Sequence, residues 1–342
     1  KMDCKISDFD AVSLYPSAMN RMDGFLKGCP QVIENFEPNK YDGYFIYIKI
    51  LKVGKHYNFP CASIMTDQNI RHFTNDLIGK CIYMDKVGLE DLIKFQNVEY
   101  EFIKGYYFNN GRNDKIKETI KHLFNQRLKY KKEKNPVQMV FKELMNSSYG
   151  KSFMKPIDCE KVYINKKDIL NHVKYHYNNI KEITLMFDEK NYKCEMIKSI
   201  DTHFNSVHIG VEILSMSKRI MYEVMTLAED NKFPIYITDT DSMHINTDCV
   251  EPLGKLFNEK YGRELIGTNM GQFHTDFDLD GAETEIKSID CVFLGKKCYI
   301  DKLHSNDKDG KDIYGHHIRM KGIPNDCIKH KADTEYGGNN ES

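Results

Sequence analysis

No apolar run in the chain approaches the roughly 20 residues that span a bilayer, and no signal peptide opens it. The ten cysteines, scattered from Cys4 to Cys327, include no C-x-x-C pair. That excludes the zinc-ribbon and thioredoxin-type sites that need such spacing. Scattered cysteines in a large non-secreted protein stay reduced, so the expected setting is intracellular: host cytoplasm, nucleus or organelle. Repeats and low-complexity tracts are absent. So is any excess of one charge, the formal net charge being −1. Hydrophobic residues at 41% and charged residues at 29% exclude global disorder. The 342 residues can build two or three domains. The chain starts at Lys1, almost directly on a motif, and is read as a fragment of a longer polypeptide.

Charge is nevertheless unevenly spread. Eleven Lys/Arg between Lys115 and Lys155 face three Glu, a local excess of +8, which suits either a solvated helix face or a surface for phosphates. Residues 113–134 have helical periodicity through Ile116, Ile120, Leu123, Phe124 and Leu128. Asn135-Pro136 breaks that helix. A second is expected over about 137–149, burying Val137, Val140, Phe141, Leu144, Met145 and Ser148, with Gly150 as its stop. The short turn predicts an antiparallel pair. Residues 155–204 predict strands and loops, with a hairpin around Asp188–Asn191. The clearest helix covers 207–229, with Ile209, Ile213, Met216, Ile220, Val224 and Leu227 on one face. Ile6–Val12, Tyr44–Val53, Ile235–Thr238 and Met243–Ile245 predict strands. Asp309-Gly310 predicts a hairpin between Lys297–His304 and Asp312–Met320.

Candidate chemistry gathers at four places. Asp239-Thr240-Asp241-Ser242 joins two short apolar segments, and two carboxylates on a hairpin suit a hard divalent cation. A calcium loop fails, because Met243 and His244 stand where Asp/Asn and Gly are needed. Asp10 ends an apolar strand, with Asp8 on the same face as a decoy or a second acid. Lys142, Asn146 and Tyr149 fall at i, i+4, i+7 on one helical stripe with Gln138, while Arg127 and Lys131 on the preceding helix could approach Lys142. Three converging cations suit a triphosphate. Lys297-Cys298-Tyr299, taken as strand, sends Lys297 and Tyr299 to one face. Singly, each pattern is as well explained by a solvated turn, an amphipathic surface helix or a scattered charge.

Together and in order they resemble the family B DNA polymerases. Asp10-Ala11-Val12-Ser13-Leu14-Tyr15-Pro16-Ser17 is similar to the family's D-x-x-S-L-Y-P-S. Lys142 to Gly150 is similar to K-x-x-x-N-S-x-Y-G, Tyr236 to Ser242 to the D-T-D-S motif, and Lys297-Cys298-Tyr299 to the K-x-Y that holds the primer end. The resemblance implies an α+β right-hand fold. Its palm would comprise residues 1–24 and 205–325, with helical-hairpin fingers over 113–153. The 132 residues between Asp10 and Lys142 leave an excess over 25–112. With Gly105-Tyr106-Tyr107-Phe108, that excess resembles the insertion of the protein-primed branch of viruses and linear plasmids, which contacts the priming protein and the template duplex. Residues 154–204 correspond by position to a second insertion, and 326–342 to the start of a truncated thumb.

The implied activity is template-directed addition of deoxynucleotides to a 3′-hydroxyl, the partners being primer-template DNA, deoxynucleoside triphosphates and a priming protein, with no membrane. The cofactors are two Mg²⁺, with Mn²⁺ able to substitute, held by Asp10, Asp239, Asp241 and the Ala11 carbonyl. Tyr15, Arg127, Lys131, Lys142, Asn146 and Tyr149 would bind the nucleotide, and Lys297, Tyr299 and Gly150 the primer or DNA. Tyr15 would leave no room for a 2′-hydroxyl. Nine residues before Asp10 leave no exonuclease domain and 18 after Pro324 no full thumb, so the expected fragment lacks proofreading and grips DNA weakly. Residues 25–112 are expected to be removable with more harm to protein-primed initiation than to extension. The rival readings are a reverse transcriptase or primase-like palm, and a weak or inactive fragment that only binds DNA or a partner.

Overall fold

The computed structural model of the chain describes residues 5–202, 205–295 and 297–323; the expected thumb start at 326–342 lies outside them. The main elements, in chain order, are β1 (Ile6–Ala11), α1 (Leu14–Arg21), β2 (Gly43–Val53), β3 (Cys81–Asp85), α2 (Lys86–Gln96), β4 (Val98–Phe108), α3 (Lys115–Lys132) and α4 (Gln138–Ser152). There follow β5 (Cys159–Asn165), α5 (Ile169–His176), β6 (Ile180–Leu185), β7 (Asn191–Ile197), α6 (Val207–Asp230), β8 (Ile235–Asp239) and β9 (Ser242–Asn246). The last are α7 (Val250–Tyr261), β10 (Phe273–Thr275), β11 (Lys287–Gly295), β12 (Cys298–Asn306) and β13 (Asp312–Met320). They form two compact units, residues 1–121 with 212–342 and residues 122–211. No described helix is long and apolar enough to cross a membrane.

The first unit is built on a seven-stranded sheet, ordered β8-β9-β1-β11-β12-β13, with β10 also paired to β1. In β1, alternation sends Ser7, Phe9 and Ala11 to one face and Asp8 and Asp10 to the other. Phe9, Met243 and Ile245 are fully buried, and the Phe9 ring lies 5.2 Å from that of Phe273. Apolar packing on one face thereby sets the register that aligns Asp10 with Ser242 and Asp8 with His244 across β1 and β9. A four-stranded sheet, Gln31–Val32 with β4, β2 and β3, buries Tyr44, Ile46, Ile48 and Ile50 on its inner face.

Helix α6 ties that second sheet into the unit. The expected apolar face is buried except for Ile209, which is half-buried, and so are Met221, Tyr222, Met225 and Ala228 on other sides, where polar residues at helical spacing have partners from the 25–112 segment. Glu212 pairs with Arg112 at 2.8 Å. The Ser215 hydroxyl donates to Asp85 at 2.6 Å. Arg219 pairs with Asp91 at 2.7 Å and Glu90 at 2.8 Å. The Tyr222 hydroxyl donates to the Cys61 carbonyl at 3.0 Å, and Asp230 pairs with Lys55 at 2.5 Å. Deleting 25–112 would strand Glu212 and Arg219 as uncompensated charges, at about 3–5 kcal/mol each. The segment therefore shares the core of its unit, and its removal would cost the unit stability as well as any role in priming.

The second unit holds an antiparallel pair of helices, joined across their turn by Tyr130 stacked on Phe141 with centroids 5.5 Å apart. It also holds a three-stranded sheet, β5-β7-β6. The hairpin at Asp188–Asn191 forms as expected, with Asp188 Oδ1 accepting from the Lys190 and Asn191 N–H groups; α5 was not foreseen. Two expectations for α4 are corrected. The helix runs two residues past Gly150, where an added Cβ would meet nothing within 4 Å. Val137, Val140 and Leu144 are 42%, 57% and 48% exposed, and Met145 alone is buried. The sheltered stripe is Gln138, Phe141, Lys142, Met145 and Tyr149. Two apolar arcs compete on this helix, and the one carrying Phe141 and Met145 turns inward.

Asp85 yields a stability test. Its side chain caps α2 through the Gly88 N–H, its Oδ2 is buried with no hydrogen-bond partner, and burial pushes its pKa up from 3.8 to about 6. The fold therefore holds a proton that the unfolded chain has already released. That stabilisation is full below pH 3.8 and is lost as pH rises through 6. Relative to Asp85→Asn, the wild type should lose about 3 kcal/mol between pH 3 and pH 8. Denaturant unfolding of both proteins at several pH values checks this, and parallel profiles would refute it.

Candidate active site

The carboxylates meet because two backbone segments are locked together. The Ala11 N–H donates to the Asp241 carbonyl at 2.8 Å, and the Asp241 N–H donates to the Asp239 carbonyl at 2.6 Å. Asp10, one residue before the end of β1, therefore lies beside the two-residue turn that carries Asp241. Thr240 in that turn has φ 58°, a left-handed conformation costly for a β-branched residue. Ser13, just after the first aspartate, has φ 50°, and Lys297 φ 55°. A cavity of about 260 Å³ results, lined by Asp8, Asp10, Asp239, Asp241 and Asp276 together with Lys297, Tyr299 and Arg319.

Its electrostatics are those of excess negative charge. Burial raises the pKa of Asp241, Asp239 and Asp276 raise it further, and Lys297 opposes them. Burial likewise raises Asp8, against the pull of His244. Asp276 lies below the usual range because His274 hydrogen-bonds to it. The Lys297 ammonium sits 2.8 Å from Asp239 Oδ1, taking a place that a cation could fill. Oxygen donors of this kind fit a hard divalent ion. Among the described residues, however, no three His, Cys, Asp or Glu side chains are close enough together to hold an ion as they stand.

The other expected residues fall in several places. Lys297 is not on a strand; β12 begins one residue later, and Lys297 reaches the cavity from a left-handed turn. Tyr299 is buried there, its ring edge-on to His244 at 5.1 Å. Tyr15 is half-buried on α1 and lines an adjoining cavity with Asp239 and Thr240. Ser17 holds that helix by donating to the Val12 carbonyl and accepting from the Gly271 N–H. In the second unit, Lys142, Tyr149 and Arg127 are half-buried, burial lowering the pKa of Arg127. Lys131, Asn146 and Gly150 are exposed.

A family model described as DNA polymerase type B, organellar and viral, matches residues 1–231. The chain belongs to this family. A probable DNA polymerase of Ascobolus immersus is 26% identical to it over 250 residues, 71% of this chain and 20% of the relative. The DNA polymerase of Acidianus bottle-shaped virus is 57% identical over 36 residues, 10% of this chain and 6% of that one. Phi29 DNA polymerase in an orthorhombic crystal form covers 96% of the chain at 18% identity with a TM-score of 0.62. Its complex with primer-template DNA and incoming nucleotide substrates gives 17% and 0.59. This likeness shows the α+β right-hand polymerase fold. The chain spans a fifth or less of the curated relatives' length and 52% of the phi29 chain.

Arg319 and Asp276 were missed as lining residues of this cavity. Arg319 was within reach, since counting outward from Asp309 sets it opposite Tyr299, as the register confirms. Asp276 had no comparable signal, because β10 is only three residues long. His244, used above only to exclude a calcium loop, is buried between Asp301, 3.2 Å from Nε2, and Asp8, 3.6 Å from Nδ1.

Asp241→Asn removes a buried charge that Asp239 and Asp276 repel. Its melting temperature without metal should equal or exceed that of the wild type, while nucleotide incorporation falls at least about a hundredfold. Thermal melts with single-turnover incorporation check both, and near-normal activity would refute the assignment.

Proposed function

We propose that the chain is a polymerase core that adds deoxynucleotides to a DNA 3′-hydroxyl under template direction. The observation that carries this is the Ala11–Asp241 backbone bond, which joins the two aspartate motifs at one cavity. The seven-stranded sheet with β1, β8 and β9 would be the palm, and the α3–α4 pair the fingers. Residues 25–112 and 154–204 would serve as the two insertions of the protein-primed branch, the first facing a priming protein. The crystallised phi29 polymerase binds primer-template DNA and incoming nucleotides, which supports the same partners here.

Asp10, Asp241 and the Ala11 carbonyl would hold two Mg²⁺ or Mn²⁺, with Asp239 as the weaker ligand. When bound, such ions stabilise the entering and leaving oxygens of phosphoryl transfer. The chain's own groups then orient and neutralise. Lys142, Arg127 and Lys131 would receive the triphosphate, since this chemistry depends on positioning and charge stabilisation. Tyr15, Tyr149 and Asn146 would frame the sugar and base. Tyr299 and Gly150 would line the primer path, and Lys297, exchanging Asp239 for a phosphate, would hold the primer end.

Extension of a labelled primer with Mg²⁺ or Mn²⁺ tests the reading; failure with both ions would overturn it. Tyr15→Ala tests the sugar assignment. It should keep its fold and raise ribonucleotide over deoxyribonucleotide kcat/KM by at least about tenfold, or 1.4 kcal/mol. An unchanged ratio in a folded variant would rule out a steric gate. A core role would instead cost about 3–5 kcal/mol of stability.

A further inference from the structure

The cavity adjoining the carboxylate cleft has a volume of about 530 Å³ and shares Asp239 and Lys297 with it. Tyr15, Phe59 and Phe73 line it, and Lys218 of α6 reaches into it. The other charged residues of α6 between 212 and 230 all have partners: Glu212, Arg219 and Asp230 as described, Glu223 on Arg21 and Arg263, and Glu229 on the Asn58 and Phe59 N–H groups. Lys218 differs. Its Nζ makes no hydrogen bond or ion pair among the described residues, and its one close contact of that kind is the Phe73 ring, 5.8 Å away. Burial lowers its pKa and the nearby Arg71 adds to the effect, while Asp85 and Cys61 oppose it more weakly.

A sheltered cation with no ion pair or hydrogen bond of its own costs stability unless something anionic completes it. The space beside it is too large for a bare phosphate, and its aromatic walls suit a flat group attached to one. We propose that Lys218 takes a nucleotide phosphate, with the attached base or sugar lying against Phe59, Phe73 and Tyr15. This rests on the polymerase reading and adds a binding residue that none of the sequence motifs contains. The phosphate could belong to a DNA strand or to a free nucleoside triphosphate, and the two sources are separable.

The variants are Lys218→Met, which keeps the length of the side chain, and Lys218→Arg, which keeps its charge. A purely structural role on Phe73 would lower the melting temperature of Lys218→Met; the phosphate site predicts that it stays level or rises. Binding of a labelled primer-template is then measured between 50 and 200 mM salt without nucleotide, and the nucleotide KM in extension. If a strand phosphate is held, the loss of affinity over that salt range becomes about threefold smaller in Lys218→Met and is restored in Lys218→Arg. If a triphosphate is held, the salt dependence stays and KM rises about tenfold. A folded Lys218→Met with unchanged salt dependence and KM overturns the site, as does a lowered melting temperature with both intact. Failure of the wild type to bind DNA or extend it is a different result and sinks the polymerase reading itself, and the site with it.

Discussion

The carboxylate of Glu223 organises the first unit. It is 2% exposed, and both its oxygens accept from Arg21 at 2.7 Å while Arg263 donates a further bond. Burial pushes its pKa up, yet the two guanidinium groups outweigh burial and leave it below the usual value. It is therefore an anion whose stabilisation is present above pH 4.5 and fades as pH falls. Arg21 ends α1, and Arg263 follows α7, so one buried charge pins the far end of the helix that begins at Leu14. Ser17 pins the middle of the same helix. The position of Tyr15, five residues beyond Asp10, depends on those two fastenings.

The site itself shows the opposite arrangement. Along α6 nearly every charge is satisfied, whereas around β1 five carboxylates share one cavity with cations that reach in from turns and a sheet edge. Lys297 neutralises Asp239 only partly, being half exposed itself. The fold supplies rigidity where the polar groups are paired and leaves charge unbalanced at the carboxylate cavity.

Much of this was legible in residues alone. The aspartate-bearing strand and turn, the long helix, the paired helices and the Asp309-Gly310 hairpin all have local causes: alternation, helical spacing and turn chemistry. What escaped depends on distant parts of the chain. Nothing local distinguishes Glu223 from any surface glutamate; only its approach to Arg21, 202 residues away, makes it an anchor. The inward stripe of α4 was misjudged because two apolar arcs of similar strength compete on one short helix. Lys297 was taken as strand because Lys-x-Tyr alternates correctly, and the left-handed turn ahead of β12 carries no glycine to announce it. Asp276 follows a strand too short to have a pattern.

Three non-glycine residues, Ser13, Thr240 and Lys297, adopt left-handed backbone around the carboxylate cavity. Each such residue costs on the order of 1 kcal/mol or more, and glycine would remove the steric part of that cost. Selection for heat resistance alone would thus drift towards glycine or asparagine at these turns, gaining local comfort. The turns would then also sample other conformations, and the carboxylates on either side of Thr240 would no longer share one fixed spacing. At these corners thermal tolerance and geometric accuracy pull in opposite directions.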